Sequence, residues 1–285
     1  MPIATTGMTT TTTITTTTML DYDFMRLAFG AGFAVALVAG AVGYFLVLRN
    51  LAFAGHALSH VGFAGATGAL LVGIPPFWGL LGFTLAASGA MGLLGEKLRG
   101  RDVAVGVILT LSLGLGVLFL NLYTSSASQA TALLFGNVFG VSRTDLAALA
   151  ALGIASLLAL AAISRPLIFA TLEPELAEAK GLSLRLVSVL FLLIVGIAVA
   201  EAVQVVGILL VFALMIGPAA AALQLTSSLK RGVLLSVLLA VGATWSGIAL
   251  AYVTDWPPSF WIATLGSALY LAALAWRRMK SGAQR

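Results

Sequence analysis

The chain contains no cysteine, and only 9% of its 285 residues are charged. Without thiols there are no disulfides and no thiolate metal sites, and cysteine usage says nothing about redox compartment. A soluble domain carries about 25% charged residues. Here 60% of the residues are hydrophobic and the mean hydropathy is +1.09. No globular core can hide that much apolar surface, so the solvent must be lipid. Residues 5–18 are mostly threonine, with neither a basic start nor a long apolar run, so this stretch is not expected to act as a signal peptide. Such a run buries little, so residues 1–24 are expected to form a disordered Thr-rich tail. Histidine is nearly absent, with two in the whole chain.

Apolar runs make up most of the chain. A helix needs roughly 20 apolar residues to cross a bilayer. Runs of that kind lie near residues 27–48, 51–73, 77–95, 103–123, 146–163, 186–207, 208–225, 233–253 and 260–276. The expected fold is all-α, a polytopic transmembrane helical bundle of about eight or nine helices over 25–280, with a short cytoplasmic tail at 281–285. The count turns on 186–225, which is almost continuously apolar. It is either two spans joined by a tight turn at Gly207, or one long span plus a broken helix.

The net charge of +5 does not point to nucleic acid. Basic residues come in short groups between the runs: Arg49; Lys97, Arg99 and Arg101; Lys230 and Arg231; Arg277, Arg278 and Lys280. Nine spans put every such group on the cytoplasmic side, with the N-terminus outside, as positive-inside topology requires. Trp78, Trp256 and Trp261 then fall at the outer interface, a common place for indoles.

Both histidines, His56 and His60, lie in the apolar stretch LAFAGHALSHVGFAGATG at 51–68. Four residues apart on a helix, they share one face and can grip one metal ion. Counting 1.5 Å per residue from Arg49 puts His56 roughly 10 Å and His60 roughly 16 Å deep. The plainer alternative is a pair of histidines hydrogen-bonded to neighbouring helices. Intramembrane ionisable residues favour function, and imidazole suits Zn, Cu, Fe and Ni. Catalysis does not fit: a zinc protease helix HExxH needs a Glu where Ala57 stands. Ser59 and His60 point apart as sequence neighbours on a helix, which also excludes a serine hydrolase. The reading is not an enzyme.

Three other features stand out. TLEPELAEAKGL at 171–182 carries Glu173, Glu175 and Glu178 before Gly181. It is either a solvated loop or a short helix along the membrane that docks a partner, with acids at its N-terminal end and a glycine stop. Pro218 removes an N–H inside GILLVFALMIGPAAAA and is expected to break the helix, as a pathway hinge or a simple kink. Glu201 and Gln204 are expected near the outer surface and hydrated. If the helix is longer, Glu201 is instead a buried proton or metal partner.

Taken together, these residues resemble the permease of the zinc/manganese/iron-type ABC transporters. The match rests on Arg49 through Gly55-His56-Ala57-Leu58-Ser59-His60, on Glu175-Leu-Ala177-Glu-Ala-Lys-Gly181, and on the run 206–222 ending at Pro218 and its alanines. In order and spacing the likeness covers about 24–280. It implies the membrane subunit of a bacterial inner-membrane metal importer that receives a divalent ion from an extracytoplasmic binding protein. Cytoplasmic ABC ATPases would drive it, and a second permease copy, most simply in a homodimer, would complete the pathway. The segment with Glu173, Glu175, Ala177, Glu178 and Gly181 would couple to the ATPase. The chain holds no G-x-x-x-x-G-K-[ST] phosphate loop of its own. No cofactor is implied beyond the transported ion. One departure is notable: the family commonly has Asp where this chain has His56. Exchange of an oxygen ligand for imidazole favours Zn²⁺ over harder ions such as Mn²⁺, so zinc is expected first, then manganese or iron. Alternatives are an ABC permease for a metal chelate or vitamin, and a proton-coupled secondary transporter using Glu201.

Overall fold

A computed structural model describes residues 19–94, 101–122, 133–208 and 210–282. Among these the regular structure is helical throughout. The long helices are α1 (Asp23–Leu48), α2 (Ala52–Leu71), α3 (Pro76–Leu94), α4 (Arg101–Leu122) and α5 (Arg143–Leu172). After the short α6 (Pro174–Ala179) come α7 (Leu184–Val206), α8 (Val211–Leu225), α9 (Leu229–Thr254) and α10 (Pro258–Gly282). Seven of them are long and apolar enough to cross a membrane on those grounds alone. The expectation of eight or nine exceeds that by α2 and α8. The histidines, Ser59 and glycines dilute the hydropathy of α2, and α8 has only 15 residues. At 15 residues α8 spans about 22 Å against a hydrocarbon core of about 30 Å.

Local chemistry sets the helix boundaries. Ser142 and Asp145 form a reciprocal cap at the start of α5: each side chain accepts the other's backbone N–H, at 3.1 and 3.0 Å. Alpha-7 ends at Gly207, whose φ of +82° is open to glycine and costly for other residues. The chain therefore turns at Gly207, as the two-span reading requires. Pro218 does not break its helix: α8 runs unbroken from Val211 to Leu225 with the proline inside. One backbone hydrogen bond is lost there, but close packing on two sides holds the helix. A Cβ at Gly43 of α1 would overlap the Met215 carbonyl, and one at Gly217 would sit 2.6 Å from the Gly266 carbonyl of α10.

Alpha-1 and α7 form the buried centre. Helices α2 and α3 pack on each other and on α7, α4 lies on α2 and α3, α5 lies on both α1 and α7, α8 and α9 pack on α1, and α10 packs on α8 and α9. Valines and leucines of α4, α5 and α9 point outward, as lipid-facing helices require. Contacts between helix ends also bring the basic junctions together. Arg49 donates to Ser188 at 3.1 Å, joining the α1–α2 turn to the start of α7. Arg277 donates to Gln224 at 2.6 Å, joining the ends of α8 and α10. The first helix's other end carries the Asp23–Arg143 pair at 3.3 Å. Trp256 and Trp261 stack 5.7 Å apart on the loop and helix start after α9. The expected Thr-rich tail lies outside the described residues up to 18, and α1 begins at Asp23, two residues before the expected boundary. Lys97, Arg99 and residues 123–132 also lie outside them.

Candidate metal site

Alpha-2 starts from a tight reversal. Asn50 adopts φ +55°, and Leu51 donates its N–H to Leu46 at 2.9 Å, so α2 folds straight back against the bundle. One turn in, His56 and His60 stack on a common face, with ring centroids 4.7 Å apart and planes at 85°. With metal–nitrogen bonds of about 2.1 Å, ring centres of two adjacent ligands on one ion stand roughly 4.5–5.2 Å apart. The separation of the two rings falls within that range. Both histidines are half-buried. Ser59 is fully buried and donates back to the His56 carbonyl at 2.7 Å, which makes it helix packing, as expected. Among the described residues, no third His, Asp or Glu joins the pair.

Phe212, the second residue of α8, also lies against His56. Its ring centroid is 5.2 Å away and its plane is tilted by 75°. Sequence reasoning missed it, since an aromatic in an apolar run carries no signal of what it meets.

Glu201 corrects the expectation of a hydrated surface position: it is buried, with 1% of its surface exposed. Ser156 of α5 donates to one carboxyl oxygen at 3.4 Å, and the other oxygen has no hydrogen-bond partner. The side chain lies against Ser156 and Gly153 of α5, and Gly153 in turn faces Val38 of α1, while residues 133–140 fold over the end of α7 further along. Gly136 abuts Gly207, Asn137 donates to the Gln204 carbonyl at 3.4 Å, and Ile208 donates to the Leu133 carbonyl at 3.2 Å. Gln204, half-buried, lines a cavity of about 400 Å³ with Asn137, Pro75 and Phe77. Glu201 stands apart from the histidines. Glu201→Gln keeps the shape and an acceptor for Ser156, so uptake by this variant is expected within about twofold of wild type. Loss of transport in a tracer assay would instead restore proton coupling through Glu201.

The acidic segment 171–182 contains a helix rather than only a loop. Pro174 starts α6 at its first position, where its missing N–H costs nothing. Gly181, at φ +82°, ends it. Gly181 donates to Glu178 at 2.8 Å and Leu182 to Ala177 at 3.0 Å, a Schellman closure. Glu173, Glu175 and Glu178 are exposed, and Ala177 is wholly buried. One face is therefore anchored and the other is free and acidic.

Known proteins agree with this architecture over nearly its whole length. The ABC 3 transport family matches residues 21–277. The chain is 30% identical to the manganese transport system membrane protein MntC of Halalkalibacterium halodurans, over 90% of this chain and 88% of that protein. It is 31% identical to the manganese import system permease protein ScaB of Streptococcus gordonii, over 89% of each. The solved structure of PsaBC from Streptococcus pneumoniae in complex with Fab superposes with a TM-score of 0.80 at 27% identity. That match covers 90% of this chain and 92% of the other. The chain belongs to the ABC 3 transport family, as a multi-pass membrane subunit of the bacterial inner membrane.

Proposed function

We propose that this chain is the permease subunit of an ATP-driven importer, carrying a divalent transition metal from an extracytoplasmic binding protein to the cytoplasm. The observation that carries the reading is the His56–His60 pair, already at ligand spacing on a helix of the bundle. Two imidazoles do not saturate a metal ion, and both histidines are only half-buried. A second permease copy facing the first supplies the missing ligands, which makes the working unit a dimer. A site of so few ligands suits an ion that must also leave.

Manganese is the substrate best supported, because manganese stands in the names of the similar proteins MntC and ScaB. Zinc is the second reading, favoured by the pair itself: His56 replaces a carboxylate, and nitrogen sites bind zinc more tightly than manganese. Cellular manganese, zinc and iron, measured in an uptake-deficient host expressing the permease with its ATPase and binding protein, decide between them. A rise in one metal names the cargo; no rise in any overturns metal import.

Coupling to the ATPase belongs to α6. Its exposed Glu175 and Glu178 meet the partner, while buried Ala177 and the Gly181 closure hold the helix to the end of the bundle. Ala177→Asp puts a charge into that anchored face and lifts α6 away. Uptake is expected to fall at least about tenfold, an energy of about 1.4 kcal/mol in coupling, with membrane levels of the permease kept. ATP hydrolysis that stays stimulated by the loaded binding protein in this variant would remove α6 from the coupling path.

A further inference from the structure

We propose that Arg49 is the positioning residue that passes movement of α6 to α2, the helix that carries the histidines. This role rests on the reading that α6 meets the ATPase and that His56 and His60 hold the ion in transit.

Arg49 stands between the two helices of a tight reversal. It follows Leu48, the last residue of α1, and precedes Ala52, the first of α2, by three positions. Its half-buried side chain reaches the segments on both sides of α6. One guanidinium nitrogen donates to the Thr171 hydroxyl at 3.4 Å, and the other to the Ser188 hydroxyl at 3.1 Å. Thr171 lies in the last turn of α5, and Glu173 both ends α5 and caps α6, so no linker separates those helices. Ser188 lies near the start of α7, the helix that follows the Gly181 closure. Thr171 gives its own proton to the Leu167 carbonyl, which leaves its oxygen as an acceptor for Arg49. Phe191, fully buried on α7, has its ring centre 5.6 Å from the guanidinium carbon.

On the α2 side the connection is short and stiff. Asn50 at φ +55° and the Leu51–Leu46 hydrogen bond turn the chain directly into α2. From Ala52 onward the helix is unbroken through His56 and His60. A displacement of α6 that shifts the end of α5 or the start of α7 therefore reaches the histidines through one side chain and roughly two helical turns.

An arginine at a cytoplasmic helix end also serves as a topological charge. The two roles differ in what can replace it. Lysine supplies the same charge at a point, without the planar fork that holds acceptors on two helices and lies over a ring.

The test uses the purified permease–ATPase complex in liposomes, with the binding protein loaded with ⁵⁴Mn²⁺ or ⁶⁵Zn²⁺, and reads metal moved per ATP hydrolysed. Arg49→Lys is expected to lower that ratio at least about fivefold, with assembly and basal ATP hydrolysis within about twofold of wild type. Ser188→Ala removes one acceptor and should lower the ratio about twofold, but less than that when added to Arg49→Lys, because both act through one contact. An unchanged ratio in Arg49→Lys overturns the proposal and leaves Arg49 as a topological charge. Full additivity of the two variants overturns it too. Should Arg49→Lys fail to assemble, Ser188→Ala decides alone, and an unchanged ratio there has the same meaning. Ala177→Asp, run alongside, separates the two readings. If it leaves uptake intact, α6 is not the coupling element and the role of Arg49 falls with it. If it lowers uptake while Arg49→Lys keeps the ratio, this inference falls alone.

Discussion

His60→Ala is expected to abolish metal uptake while leaving the permease folded and in the membrane. The argument begins with the geometry of α2, where the two rings stand at the spacing of ligands on a single ion. Removing one leaves a single imidazole, and no other His, Asp or Glu groups with it among the described residues. Even losing a hydrogen bond behind a metal ligand costs about 10–100-fold in affinity, so losing the ligand itself should cost at least about 100-fold. The fold should tolerate the change. His60 is half-buried, alanine is the best helix former, and the neighbouring buried Ser59 keeps its bond to the backbone. Ser59→Ala is the matched control, expected to transport normally. Cellular metal content and membrane abundance, measured on the same cultures, check both. Uptake that survives in His60→Ala would make the histidines structural and move the pathway elsewhere.

Features carried by local chemistry were legible in the sequence. The histidine spacing, the Gly181 stop of α6 and the Gly207 turn each depend on residues within a few positions of one another, and each appears where expected. What the sequence did not reveal depends on distant segments. Glu201 is buried because α5 packs against α7 and brings Ser156 and Gly153 to its carboxyl group, and Ser156 is 45 residues away. Phe212 reaches His56 from another helix, with nothing in an apolar run to say so. Pro218 was expected to break α8 on the local rule, but Gly43 and Gly217 let α1 and α10 close on the helix and hold it. Those contacts outweigh one missing hydrogen bond.

Gly65→Leu is expected to cost the protein its fold. Gly65 on α2 and Gly79 on α3 face each other so closely that a Cβ on either would overlap the other's backbone carbonyl. Membrane helices gain little from apolar burial relative to lipid, so contact of this kind between backbones supplies much of their association. A leucine at 65 meets main chain, which cannot rotate away as a side chain tip can, and the two helices must separate. Ordinary overpacking costs about 1–3 kcal/mol, and a backbone collision belongs at or above the top of that range. The histidines ride on the same helix, so a shifted α2 would carry the site out of register with Phe212. Gly82→Leu on α3 is the control: Gly82 is exposed and a Cβ there meets nothing within 4 Å. Thermal unfolding in detergent, with yield of monodisperse protein, should show wild-type behaviour for Gly82→Leu and a loss of at least about 3 kcal/mol for Gly65→Leu. Equal stability of the two variants would mean that α2 and α3 do not cross at these glycines, and the placement of the histidine pair would have to be redrawn.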